Sequence, residues 1–163
     1  MPTPNRLART VSALERLPRF IRPAVMSRAF NSQVRFAGTA SIRFEELTEG
    51  RAVLTLANRR KVQNHIGGVH AAAMALLAET ATGAVLGMTV PDTHLPLLKS
   101  MHVDYTRRAK GDLRAEATLD EAQRQRVLTE PKGDLAVPCT VTDEDGEQPI
   151  VCTMTWAWVP KKR

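Results

Sequence analysis

The sequence predicts an α+β fold in which a long antiparallel sheet curls around one central helix. Residues 62–91 carry a single formal charge, Glu79, and their many alanines and leucines give high helix propensity over about residues 68–88. Before and after this stretch, apolar and polar residues alternate with a period of two, which indicates half-buried strands. A helix without a polar face must be covered on nearly all sides, and a curled sheet covers one of them.

An N-terminal arm, residues 1–37, is predicted to be helical and basic. Leu7, Val11 and Leu14 have helical spacing, Pro18 ends that helix, and a second helix is predicted over 22–31. Residues 1–44 contain eight arginines and one glutamate, a net charge of +7, so the excess of positive charge belongs to the arm. We expect the arm to pack on the domain that follows.

Residues 38–160 are predicted to form that domain. A hairpin comes first, with its turn at Glu49-Gly50, and the helix follows it. Four more alternating segments come after Pro91, and Pro138 makes the third an edge or bulged strand. These predicted strands lie near residues 101–106, 113–120, 135–141 and 150–158.

Composition excludes several classes of protein. With 163 residues, 43% hydrophobic and 25% charged, the chain can bury a core and is not disordered. Outside the arm the charges nearly cancel, so we do not expect nucleic-acid binding. A membrane span is not expected, because Glu79 would lie in its middle. Cys139 and Cys152 lack metal-site spacing, so we expect free thiols and no metal.

The first residues of the chain give an expectation for the cellular location of the protein. Arg6, Arg9 and Glu15 interrupt any apolar signal segment, so we expect a cytoplasmic protein. The arginine-rich, acid-poor start is also compatible with a transit peptide, although Pro18 and Pro23 disfavour the long amphipathic helix that such peptides form.

Glu79 is the first candidate for chemistry. A carboxylate on an apolar helix is costly to keep ionised unless it is paired or reaches a cleft, and no Lys or Arg lies within one helical turn of it. It could act as a general base or a nucleophile, or it could bond to a strand or a second subunit.

The segment that enters the helix is the second candidate. Asn64, His65 and His70 can bind ligands, Gly67 and Gly68 allow close approach, and the backbone amides near His70 and Ala71 could form an oxyanion hole. His70 and Glu79 are nine residues apart, roughly 13 Å along one helix, which is too far for both to hold one atom. We therefore predict a homodimer with a site shared between subunits; whether dimers pair into tetramers stays open.

Two motifs resemble the hotdog-fold acyl-CoA thioesterases, above all the phenylacetic-acid-pathway type and related hotdog proteins of unknown function. The runs NHIGGVHAA (64–72) and LLAETA (76–81) place an Asn six residues before a His and an acid nine residues after it, as in that family's central helix. The run YTRRAKGD (105–112) resembles the link between strands that follows. The resemblance covers about residues 38–160.

This resemblance implies a hotdog fold and hydrolysis of an acyl-CoA thioester. Glu79 would activate water or attack the thioester carbonyl, Asn64 would place the water or the substrate, and the Ala71 amide beside His70 would bind the thioester oxygen. CoA would be part of the substrate and no cofactor is implied. His-Ala-Ala here replaces the family's His-Gly-Gly, and the added methyl groups narrow the approach to the helix.

Coenzyme A carries several phosphate charges, so basic clusters at the two ends of the helix are its candidate partners. They consist of Arg59, Arg60 and Lys61, and of Arg107, Arg108 and Lys110. Two other functions stay open. A hotdog hydratase or dehydratase also pairs a His with a helix acid, at the interval of His65 and Glu79, and a non-catalytic acyl-CoA binding module would fit the Ala71-Ala72 departure.

Overall fold

The computed structural model describes residues 3–162, which fold into five α-helices, one 3₁₀ turn and seven strands. The helices are α1 (Arg6–Leu14), α2 (Arg22–Gln33), α3 (Arg35–Ala40), α4 (Ala71–Gly87) and α5 (Glu121–Thr129), and the 3₁₀ turn is Arg60–Val62. The strands are β1 (Arg43–Leu47), β2 (Arg51–Leu56), β3 (His94–Tyr105), β4 (Leu113–Thr118), β5 (Gly133–Val137), β6 (Cys139–Thr142) and β7 (Ile150–Pro160). Within residues 3–162, no helix combines the length and the apolar character needed to cross a membrane.

The strands form two antiparallel hydrogen-bonded sheets, the segments β1-β2-β4-β6 and β3-β7-β5, and strands β6 and β7 of the two segments lie close to each other. The chain passes from one segment to the other at Pro138, between β5, which pairs with β7, and β6, which pairs with β4. The single strand predicted over 135–141 is therefore two strands. Pro138 has no N–H to donate, and its carbonyl accepts the amide of Thr118 instead.

Helix α4 lies inside this curled sheet and contacts strands of both segments. Leu77, Val85 and Leu86 are fully buried against it. At Gly83 the helix comes so close to β7 that the ring of Trp156 covers the glycine, and the indole Nε1 donates to Thr82 Oγ1 at 2.9 Å. The predicted α+β architecture, a sheet wrapped around a central helix, is confirmed.

One stripe of α4 is not covered by the sheet. Its members, spaced by three or four residues and partly or fully exposed, are Ala72, Leu76 and Glu79. Such spacing places them on one helical face. Farther along the same face, Trp156 covers Gly83 and Leu7 of the arm lies beside Gly87. The only ionisable side chain of α4 thus lies on its open side.

The N-terminal arm packs on the domain, as expected. Asn5 caps α1 through its Oδ1, and its Nδ2 donates to the carbonyls of Gly87, the last residue of α4, and of Val90. The arm also contains α3, whose last three residues, 38–40, lie where the domain was predicted to begin. The predicted boundary between residues 37 and 38 lies within this helix.

Two elements differ from expectation. Helix α5 was not predicted, since only Val127 of its nine residues is buried and its apolar pattern is correspondingly weak. Strand β3 was predicted to be half-buried, yet Leu95, Leu97 and Met101 are 42%, 49% and 49% exposed. This strand is the outer edge of its segment, with β7 on one side and solvent on the other.

Candidate functional site

Glu79 lies midway along α4 on the open stripe. Its side chain is half-buried, and no ion pair to it exists within the described residues. Burial raises the pKa of the Glu79 carboxyl above its ordinary value, and a hydroxyl hydrogen bond from Thr80 to Oε2, at 3.4 Å, opposes that rise. A carboxylate with a raised pKa and no cationic partner is a suitable general base.

The N-terminus of α4 presents a free backbone donor. His70 is the N-cap: its Nδ1 accepts the amide of Ala72 at 3.0 Å, and its own amide donates to Val62. This cap explains why the helix begins at Ala71 rather than near Gly68. The Ala71 N–H donates no hydrogen bond within residues 3–162, so it is available to polarise an oxygen.

Asn64 shapes the turn that leads into the helix. Its Oδ1 accepts the amides of Ile66 and Gly68, each at 3.1 Å, so the side-chain carbonyl is occupied and the Nδ2 amide is the end left to bind a ligand. Gly67 has φ +77°, a left-handed conformation that favours glycine. His65 is exposed in the same turn. The predicted substrate-binding residues therefore lie together on one loop.

A basic surface cavity of ≈ 380 Å³ adjoins that loop. Asn58, Gly67, Gly68, Arg107, Arg108, Ala109, Lys110 and Gly111 line it. Acidic groups already hold some of the cations, since Arg107 lies 3.2 Å from Asp143 and Lys110 lies 3.0 Å from Asp145. Arg108 forms no ion pair within the described part of the chain, and its guanidinium donates to the carbonyl of Ile66.

The two predicted basic clusters do not converge on this cavity. Arg107, Arg108 and Lys110 line it, whereas Arg59 and Arg60 are exposed before the helix and are not among its walls. The structure thus joins one predicted cluster with the glycines at 67 and 68.

Some residues at the site were not anticipated. Tyr105 Oη donates to the carbonyl of Ala71 at 3.0 Å, which ties the end of β3 to the first turn of α4. Asn58 lines the basic cavity and its Nδ2 donates to the carbonyl of Gly67. Phe36 of α3 lines a separate small cavity beside His70. The sequence signal that could have identified Tyr105 is its position directly before the run TRRAKG. No sequence pattern points to Asn58 or Phe36.

The described residues contain no group of three or more His, Cys, Asp or Glu side chains that could hold a metal ion. Cys139 and Cys152 are free and half-buried.

Comparison with known proteins places the chain among hotdog proteins. Residues 22–159 match the model of a family described as a domain of unknown function, DUF4442. No curated protein matches the sequence. The structure is similar to that of protein PA5026 from Pseudomonas aeruginosa, described as a probable thioesterase, with 28% identity and a TM-score of 0.76 over 85% of this chain and 97% of that one.

Two further solved structures are similar. The protein APC5556 shares 27% identity with a TM-score of 0.74, over 95% of this chain and 99% of that one. Thioesterase HI1161 from Haemophilus influenzae, at 14% identity and a TM-score of 0.62 over 77% of this chain and 82% of that one, shares the fold. Because the family model spans most of the chain, this protein belongs to the DUF4442 family and is a thioesterase-like member of the hotdog superfamily.

Proposed function

We propose that this protein hydrolyses an acyl-CoA thioester to a free acid and CoA. The observation that supports this best is Glu79, a half-buried carboxylate with a raised pKa and no cationic partner, on the one side of α4 that the sheet leaves open. The similarity to PA5026, which is described as a probable thioesterase, supports the same function. The reaction needs water and substrate alone, so no cofactor takes part.

In the proposed reaction the Glu79 carboxylate takes a proton from water, whose oxygen attacks the thioester carbonyl carbon. The Ala71 N–H donates to the carbonyl oxygen as it gains negative charge. The C–S bond then breaks, the electron pair leaves with sulfur, and the proton held by Glu79 passes to the CoA thiolate. The Asn64 Nδ2 amide would position the water or the substrate.

The basic cavity is the proposed seat of the CoA phosphates. Guanidinium and ammonium groups bind phosphate oxygens strongly, and Arg108 has no carboxylate partner competing for it within residues 3–162. Gly67 and Gly68 let the phosphates approach the backbone. His65, exposed in the turn beside Gly67, would add a contact, whereas Arg59 and Arg60 lie outside the walls of this cavity and have no part in the proposed seat.

A homodimer would complete the site. Within one subunit His70 and Glu79 are nine residues apart on α4, roughly 13 Å, so the Ala71 amide and the Glu79 carboxylate cannot meet at one carbonyl group. Two copies placed with their open α4 stripes facing each other would bring Glu79 of one to the helix N-terminus of the other. The exposed apolar edge of β3 offers a continuous surface for such pairing.

The first test measures thiol release from a panel of short, long and aryl acyl-CoAs. Glu79→Gln keeps the shape and removes the base, so we expect kcat to fall by about 10²- to 10⁴-fold. Glu45→Gln is the matched control, because Glu45 is exposed on β1 and forms no ion pair within the described residues. A thiol blank corrects for Cys139 and Cys152.

A second variant tests the oxyanion donor. Ala71→Pro removes the free N–H while keeping the helix, because proline is well accepted at the first helical position and His70 has the extended ψ of 141° that a residue before proline prefers. We expect kcat to fall by about 10²- to 10³-fold.

Other outcomes identify the alternatives. Full turnover in Glu79→Gln would contradict the mechanism. Reversible change of enoyl absorbance without thiol release would indicate a hydratase or dehydratase, and tight acyl-CoA binding without turnover would indicate a binding module.

A further inference from the structure

A small cavity lies where the N-terminal arm meets the start of α4. Helix α3 contributes Phe36, Thr39 and Ala40, and the first turns of α4, with the segment just before them, supply the opposite wall. The apolar side chains around it are those of Phe36, Ala40, Val62, Ala72, Ala73 and Leu76. The arm is thus part of a cavity wall as well as a packing element.

This cavity adjoins the proposed oxyanion donor. His70 and Ala72 both line it, and Ala71 lies between them at the first position of the helix. Lys61 and Gln63 are its other polar neighbours, and the Lys61 ammonium is held by the hydroxyl of Ser41. An apolar group bound here would have its attached carbonyl carbon next to the helix N-terminus, where the Ala71 N–H is free.

The cavity opens to solvent on one side, and the space between its walls measures ≈ 190 Å³. An apolar cavity of roughly 150 Å³ accommodates benzene, whereas pockets for large ligands span about 300 to 1,000 Å³. The space therefore suits one ring or a chain of about six carbon atoms.

We propose that α3 forms a wall of the acyl pocket and that Phe36 determines acyl specificity, restricting the substrate to short acyl or arylacyl thioesters. This inference rests on the proposed thioesterase function and adds its substrate class. Phe36 is 65% exposed, so its ring is accessible to a ligand and is not committed to the core. Because α3 belongs to the arm, substrate selection and chemistry reside on different parts of the chain.

The experiment compares kcat/KM for acetyl-, hexanoyl-, phenylacetyl- and decanoyl-CoA in the full-length protein. The kcat/KM of wild type for hexanoyl- or phenylacetyl-CoA should exceed that for decanoyl-CoA by at least about tenfold. The decanoyl chain is too long for the cavity and would lose the apolar contacts that the shorter groups make there. Phe36→Ala opens the wall and should raise the decanoyl to hexanoyl ratio about tenfold. Thr39→Trp fills the cavity and should depress phenylacetyl-CoA turnover while sparing acetyl-CoA.

Phe20→Ala is the matched control, since Phe20 is also an arm phenylalanine, is 84% exposed and is not among the residues that line the cavity. Thermal melts of each variant check that the arm remains folded. Unchanged chain-length ratios in Phe36→Ala and Thr39→Trp, with wild type active, would overturn this inference alone. Inactivity of wild type towards every thioester would overturn the proposed function together with it.

Discussion

Glu79 illustrates how one residue at a site can oppose stability. Burial raises the pKa of its carboxyl in the folded protein, so protonation of Glu79 makes a stabilising contribution to the folded state. That contribution is fully present below the unfolded pKa and is lost as pH rises through the folded pKa. At neutral pH, which lies above the ordinary pKa of a glutamate, the burial of Glu79 therefore lowers the free energy of unfolding.

It follows that Glu79→Gln, which abolishes the charge, should raise the melting temperature at pH 7 by about 2 °C and should have a smaller effect near pH 4. Calorimetry at both pH values, with Glu45→Gln as reference, measures this. A lower melting temperature for Glu79→Gln than for wild type at pH 7 would mean that the Glu79 carboxylate is paired in the folded protein.

Single residues also mark the limit of what the sequence can predict at this site. The spacing of Asn64, His70 and Glu79 indicated which residues to examine, but it could not say which of their atoms are free. His70 Nδ1 is occupied by the helix cap and Asn64 Oδ1 by two loop amides, because the turn must satisfy its own backbone donors. Tyr105, which comes from a distant strand, depends on tertiary packing that no local pattern contains.

At the scale of elements, the contact between α4 and β7 depends on one missing side chain. A Cβ at Gly83 would lie 2.7 Å from the ring of Trp156, whereas at Gly87 the nearest atom would be Leu7 Cδ2 at 3.4 Å. Gly83→Ala should therefore lower the free energy of unfolding by about 1 to 3 kcal/mol, since the ring and its bond to Thr82 must shift. Gly87→Ala, on the same helix, should change it by less than about 0.5 kcal/mol.

Chemical denaturation followed by tryptophan fluorescence provides both values. Equal losses in the two variants would show that the helix backbone, and not the indole contact, is the sensitive feature.

The same scale shows why some elements were predictable and others were not. The apolar run of α4 and the hairpin of β1 and β2 have strong local periodicity, and both were predicted. Helix α5 is mostly polar, but the sequence contains a pattern typical of a helix start, because Asp120 and Gln123 form a capping box. The division of β5 from β6 could not be inferred from alternation, because the side chains keep a period of two across Pro138 while the pairing partner changes.

At the scale of the whole molecule, one subunit leaves two surfaces exposed to solvent: the open stripe of α4 and the apolar residues along the edge strand β3. The proposed homodimer would have a mass of twice 18.0 kDa and would contain two equivalent sites, each built from both subunits. Light scattering measures the mass, and Leu97→Asp on the edge of β3 should shift it towards the monomer. Phe20→Asp, which changes an exposed apolar residue of the arm, should not.

Mixed dimers test whether the site is shared. Glu79→Gln and Ala71→Pro should each be inactive alone, yet a dimer of one copy of each has one site with both groups intact and one with neither. Random pairing makes half of the dimers mixed, so co-expression should restore about one quarter of wild-type turnover. If Glu79 and the Ala71 amide served a site within one subunit, every site in the mixture would lack one group and no activity would return. Recovery therefore depends on the two groups acting from opposite subunits, which is what their separation along α4 requires.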